Sequence, residues 1–337
     1  MAELIDKTFN FFREEIVFSI SLILAVISCF FVKPSFNYLN YINWYTIILL
    51  LVIMLIVEVL KNLAIFEILV RRLLTRIGNT RGLVFTLVFV CFLSSVFITN
   101  DVSLILFVPF AILALKKVNR PDLAIVTVCL QTIASNVGCM ILPTGAPHNI
   151  VMYTVSGIPF ESFFLLLLPY VAVSVMFLFA VILIIPADDI LLPDFGKVHI
   201  YRNHFFKRVF LGVDYYLLLT FIALFVLIGN LENIYFFSLL FKKWIIGNEV
   251  ISGVILSQII SNVPAAMLLS GFSSNFGAII VGINIGGFGT LIASMANLIS
   301  FKILVRQYSE FKIRYLVVFT VLNIVLLGIL LVVNLFT

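Results

Sequence analysis

Apolar residues gather in runs of the length that a bilayer crossing needs, roughly 20 residues of helix, separated by short polar stretches. Uninterrupted runs at 16–32, 44–60, 163–185, 213–228 and 315–335 read as membrane helices. Two further runs, 122–153 and 276–301, are equally apolar but carry helix breakers at their centres. In the first, Gly138, Pro143, Gly145 and Pro147 weaken or remove helical hydrogen bonds, while Asn136, Thr144, His148 and Asn149 put polar groups at bilayer depth. The second, NIGGFGTLIASMAN, repeats the order: Asn284, then Gly286, small residues, and Asn297. In each copy the closing Asn lies 13 residues after the opening one, since 149 − 136 and 297 − 284 agree. Both runs are predicted as discontinuous transmembrane helices.

Each broken run is preceded by an apolar stretch with a polar centre, 82–115 and 252–269. Arg81 before the first stretch and Lys116, Lys117 and Arg120 after it favour a hairpin that enters and leaves by one face. The stretch 61–81 spaces Arg71, Arg72, Arg76 and Arg81 against an apolar face and predicts an interfacial arm, matched later by 232–246. The order of elements thus divides the chain into an interfacial segment and first helix (1–43), a first repeat (44–186), a polar cytoplasmic linker (187–210) and a second repeat (211–337). Three crossings separate the starts of the repeats, so they are expected to be inverted. The fold class is an all-α polytopic membrane protein.

Composition narrows this further. Of 337 residues, 63% are hydrophobic and only 11% charged, against about 25% charged in a soluble domain, and mean hydropathy is +1.23. The net charge of +5 is a matter of topology and not of nucleic-acid binding. With the N-terminus in the cytoplasm, only Lys33, Lys242 and Lys243 of the 21 Lys and Arg fall outside, a bias that predicts N-in, C-out insertion in the cell membrane. Residues 1–15 lack the pattern of a removable signal peptide and predict an interfacial helix. Cys29, Cys91, Cys129 and Cys139 sit in apolar runs without metal-binding spacing.

The hairpin centres share the pattern S-x-x-I-[T/S]-N, as Ser95 to Thr99-Asn100 and Ser257 to Ser261-Asn262. Hydroxyls and an amide beside a chain reversal supply oxygens able to replace the water shell of a cation such as sodium. Free helix N-terminal amides at the same place attract anions. Broken helices opposite such tips complete a midplane site in inverted-repeat transporters. Gly, Ser, Thr and Asn also pack membrane helices, and it is the paired order of four motifs that favours function. Asp101 is the acid deepest in an apolar run and is expected to hold a cation or carry a proton, with a helix cap as the bland alternative. His148 either titrates or satisfies freed backbone groups. Asp122 is expected to cap a helix and Glu58 to snorkel to the interface.

At these motifs the sequence resembles the ion transporter superfamily of divalent anion and citrate transporters, arsenite-efflux permeases and sodium/proton antiporters. ITNDVSLILFVP is similar to the arsenite-permease branch, and GCMILPTGAPHN to the family's G-x4-P-x-G-x-P-x-N loop. The resemblance implies a scaffold, a mobile transport domain moving as an elevator, and a homodimer. It implies one ion site at Ser95, Thr99, Asn100 and Gly145, to which the depth of Asp101 adds that residue, and another at Ser257, Ser261, Asn262 and Ala293. Solute contacts are implied at Asn100, Asp101, Ala146, Pro147, His148, Asn262, Val263 and Ser294. The dicarboxylate branch has Thr where this chain has Asp101 and Val263, and ATPPN where it has ASMAN. An ionised Asp101 repels a carboxylate and Val263 offers no hydrogen bond, so the site departs from dicarboxylate transport.

The expected function is secondary active transport of a small anion or anion-related solute, coupled to sodium or protons. Sodium/proton antiport and arsenite or antimonite efflux are the alternatives, and a channel is the rival mechanism. An intramembrane protease would need a second membrane Asp, a Ser–His pair or HExxH. His199 and His204 lie in the linker, away from His148, so no enzyme is expected.

Overall fold

The computed structural model describes residues 16–63, 77–190 and 205–337. The expected N-terminal interfacial helix, most of the first arm with Arg71, Arg72 and Arg76, and the linker histidines lie outside them. The described residues form helices joined by short turns: α1 (Ile16–Ser28), α2 (Tyr38–Tyr41), α3 (Trp44–Asn62), α4 (Thr80–Phe97), α5 (Asn100–Lys117), α6 (Ala124–Gly138), α7 (Pro147–Ser156), α8 (Phe160–Ile184), α9 (Phe205–Gly212), α10 (Tyr215–Asn233), α11 (Tyr235–Ile245), α12 (Glu249–Ile260), α13 (Asn262–Phe272), α14 (Phe276–Gly286), α15 (Met295–Gln307) and α16 (Lys312–Val333). Five segments among these residues, 44–62, 80–97, 160–184, 205–233 and 309–333, are long and apolar enough to cross a membrane. The protein is an all-helical, multi-pass membrane protein.

The apolar runs with breakers do stop as helices. α6 ends at Gly138 and α7 resumes at Pro147, with the turn Pro143–Gly145 between them. α14 ends at Gly286 and α15 resumes at Met295, with the turn Leu291–Ala293 between. The arms α4 and α5 meet at Ile98–Thr99 and are 18 residues each, ~27 Å of helix. α12 and α13 meet at Ser261 and are shorter, 12 and 11 residues. Ser261 turns the chain with a φ of 73°, rare for a side chain other than Gly.

Two apolar cores hold the helices. The larger joins α4–α8 to α12–α16. A smaller one, with Leu50, Leu218, Phe221, Ile150, Val151 and Met267, lies where α3 and α10 pack on α7 and α13. A hydroxyl pair, Thr46 Oγ1 to Thr154 Oγ1 at 2.6 Å, crosses the same boundary. α10 is tied to α1 and α2 by Asn230, whose amide donates to Ser28 Oγ at 2.8 Å and Tyr38 Oη at 3.0 Å.

Two charged residues depart from expectation. Glu58 does not snorkel: it is 6% exposed, receives Lys61 Nζ at 2.8 Å and packs so tightly on Gly212 that a Cβ there would strike its carboxylate. Packing of α9 on α3 covers the path to water. Asp122 caps no helix, because α6 has Leu123 at its N-cap with no side-chain bond. It pairs instead with Arg120 at 3.0 Å, and Arg120 also binds Asp188, clasping the start of α6 to the end of α8.

The Arg120 hydrogen bonds hold the Asp122 carboxyl below its ordinary pKa. A depressed carboxylate stabilises the fold above its unfolded pKa, and that contribution is lost as pH falls through the folded value. Arg120→Gln should therefore lower thermal stability at pH 7 by ~1 kcal/mol or less, given the exposure of the cluster. The deficit should begin to shrink as pH falls below about 4, the ordinary range of a free Asp, and vanish only below the lowered value of the folded state. Unfolding midpoints of both proteins across that range check this.

Candidate functional site

The breaks leave backbone carbonyls without helical partners in apolar surroundings, where each needs a donor. Asn149, two residues into α7, donates its amide to Cys139 O at 3.1 Å, back across the first break. Asn297, two residues into α15, donates to Gly287 O at 3.0 Å and Thr290 O at 3.1 Å, back across the second. The fixed interval from opening to closing Asn thus has a geometric cause: each closing Asn staples its own break.

The same residues pair across the breaks. Asn284 Nδ2 donates to Asn149 Oδ1 at 2.7 Å, and Asn149 Nδ2 returns a bond to Asn284 Oδ1 at 3.2 Å. Asn136 Nδ2 donates to Asn297 Oδ1 at 2.8 Å. Opening Asn of one break therefore meets closing Asn of the other, both ways. His148 joins this group through Nε2 to Asn284 Oδ1 at 3.3 Å; its partner is a side chain and not a freed backbone group.

The hairpin tips approach from both sides. Asn100 donates to Asn136 Oδ1 at 3.0 Å, and its own Oδ1 receives the Asp101 backbone N–H at 3.0 Å. Ser95 Oγ donates to Ser135 O at 2.7 Å. A Cβ on Gly138 would strike Phe92 O and Ser95 Oγ; a Cβ on Gly286 would lie 2.8 Å from Ser257 Oγ. Glycine at the end of α6 and of α14 thus lets a hairpin serine reach the break in each case. Beyond the tips the arms exchange partners, α5 packing on α15 and α13 on α7.

Asn136, Cys139, His148, Asn262, Asn284 and Gly287 line a narrow hollow that admits no water-sized sphere in this conformation. Ser294 reaches its edge through Asn136 Oδ1 at 3.5 Å. Gly145, Ala146 and Pro147 are buried in the first break and Ala293 in the second. Gly145 sits over Cys139, whose carbonyl oxygen a Cβ would approach to 2.5 Å. Thr99 and Ser261 stand at the N-caps of α5 and α13 without capping bonds. Ser257 Oγ is buried without a partner among the described residues. Asp101 is partly buried in the first turn of α5, and no hydrogen bond or ion pair to its carboxylate is made among the described residues. Val263 lies apart from the hollow, in the smaller apolar core.

Gln258 has a role that its sequence position hid. Its Nε2 donates to Gly286 O at 2.7 Å and Phe288 O at 2.9 Å, and its Oε1 receives Thr290 N at 2.8 Å. A glutamine beside Ser257 in an apolar arm was the available signal; the first hairpin has Val96 there.

A family model described as citrate transporter matches residues 13–277. The chain belongs to this citrate transporter family. It is 32% identical over 294 residues to the uncharacterized transporter MJ0456 of Methanocaldococcus jannaschii, covering 78% of this chain and 81% of that one. It is 28% identical to the inner membrane protein YbiR of Escherichia coli, over 77% and 80% of the two chains. A shorter match, 32% over 128 residues, reaches the putative transporter arsB of Dictyostelium discoideum, 36% of this chain and 22% of that one. This citrate transporter family member is a membrane transporter.

Gly138 has no room for a side chain between two backbones. Gly138→Ala should destabilise the protein by about 1–3 kcal/mol or misassemble it, while Gly78→Ala, with open space around it, should be neutral at that glycine's neighbours. Unfolding midpoints in detergent separate the two.

Proposed function

We propose that this protein is a secondary active transporter that carries a small anion or anion-related solute through the hollow between the hairpin tips and the broken helices, coupled to sodium or protons. The carrying observation is the reciprocal pairing of the two breaks, Asn136 with Asn297 and Asn284 with Asn149, with a hairpin tip on Asn136 and Asn262 beside Gly287. That exchange supports reading the halves as inverted repeats, with N-in, C-out insertion following from the charge bias. In this reading α3 and α10 belong to a scaffold, the hairpins and broken helices move past it as an elevator, and the protein is a homodimer. The ion-binding assignments are Ser95, Thr99, Asn100, Asp101 and Gly145, and Ser257, Ser261, Asn262 and Ala293. Ser257 Oγ, buried without a partner among the described residues, supports the second site.

The name of the family points to citrate, and the resemblance of ITNDVSLILFVP to the arsenite-permease branch points to arsenite. A tricarboxylate meets the Asp101 carboxylate with like charge, whereas protonated arsenite is neutral and needs only hydroxyl and amide partners such as Asn262, Ser294 and His148. The unpaired Asp101 carboxylate also favours a second reading, sodium/proton antiport, in which that group alternates between the two ions.

Purified protein in liposomes under an imposed sodium gradient tests both. With no other solute, internal pH should stay constant; adding arsenite or citrate should start saturable uptake, reduced at least tenfold in Asn262→Ala. Sodium-driven proton flux without added solute, abolished by Asp101→Asn, would replace the leading reading with antiport. Flux that neither saturates nor concentrates solute would make the protein a channel.

A further inference from the structure

A second cavity lies away from the hollow, where α10 and α13 end beside α2. Its volume is about 460 Å³, within the range of small-molecule sites, and its walls mix one carboxylate and the polar Asn40, Asn43 and Ser270 with aromatic and apolar surface. Among the described residues the exposed Glu232, on the last turn of α10, is the only acidic residue lining it, and no basic residue lines it. Among the described residues Glu232 makes no hydrogen bond and no ion pair. Lys242 on α11 acts on it only at longer range and lies outside the cavity wall. Tyr41, Phe225 and Met267 line the same cavity with rings and a thioether.

The cavity is shaped by two glycines. A Cβ on Gly229 would strike the Tyr41 ring, so this glycine lets the ring lie against α10. A Cβ on Gly271 would come within 2.5 Å of Glu232 Oε1 and 2.6 Å of Ile228 Cγ2, so this one lets α13 pass beside the carboxylate without covering it. Asn233 fixes Tyr41 from behind, donating to its hydroxyl at 3.1 Å.

We infer that this cavity binds an organic ammonium compound, its charged nitrogen on the Glu232 carboxylate and its apolar body between Tyr41, Phe225 and Met267. A carboxylate beside aromatic faces is the arrangement that holds such cations, by charge and by the ring quadrupole together. A bare metal ion would leave most of the volume to water, and an organic anion would meet Glu232 with like charge. The site is separate from the proposed solute path, and its occupant touches both α10 and the second hairpin.

Binding of phenethylammonium to the detergent-solubilised full chain, followed by calorimetry, tests this without any transport measurement. Saturable binding is expected, weakened at least tenfold by Glu232→Gln, with phenylacetate not binding. The thermal midpoint of Glu232→Gln should match that of the unaltered protein, which keeps a folding defect distinguishable. As an independent reading, Ser270→Cys in a Cys29→Ser background should be shielded from a water-soluble thiol reagent by phenethylammonium and not by phenylacetate. Equal affinity in Glu232→Gln, equal shielding by phenylacetate, or no binding at millimolar concentration would overturn the inference.

Discussion

A broken helix inside an apolar core must find partners for the backbone groups it frees, and the centre of this protein is organised by that requirement. Leaving even one such group bare costs about 1–3 kcal/mol or more where water is excluded. Asn149 and Asn297 meet the need from within their own broken helices, and then use their remaining oxygen to bind the opening asparagine of the other. One residue type at one spacing therefore does two things: it staples each break and joins the two. The hairpin tips and hollow take their places around those four side chains.

The two halves of the arrangement are alike in backbone and unlike in chemistry. Ser95 donates to a carbonyl, whereas Ser257 Oγ has no partner among the described residues. Gln258 ties the second hairpin to the second break through three bonds, and Val96 makes none of them. Asp101 follows the first tip Asn and Val263 the second, the one polar and partly buried, the other enclosed in the smaller apolar core. A framework of repeated contacts thus carries two differently furnished tips.

Helix breaks, hairpins and apolar spans were legible because their causes are local. Pro143, Gly145 and Pro147 forbid a continuous helix wherever the chain goes, and a run of apolar residues sets a length. Partners were not legible in the same way. Nothing in the interval between Asn136 and Asn149 says that each would meet an asparagine more than 130 residues away. The burial of Glu58 depends on Gly212 and α9, and Asp122 pairs with Arg120, which outcompetes a helix N-terminus for its carboxylate. Gln258 was passed over since a single amide in an apolar arm has no periodicity to mark it. Charge partners and staples depend on tertiary neighbours, which one sequence does not reveal.

The claim that paired asparagines close the centre is tested most directly by a double-mutant cycle on Asn149 and Asn284, read as unfolding free energy in detergent. Each alanine substitution alone should cost about 1–3 kcal/mol, since it strands the other amide. The double variant should cost little more than the worse single one, giving a coupling of about 1 kcal/mol or more. Strictly additive losses would mean that the two amides act independently, and would contradict the account.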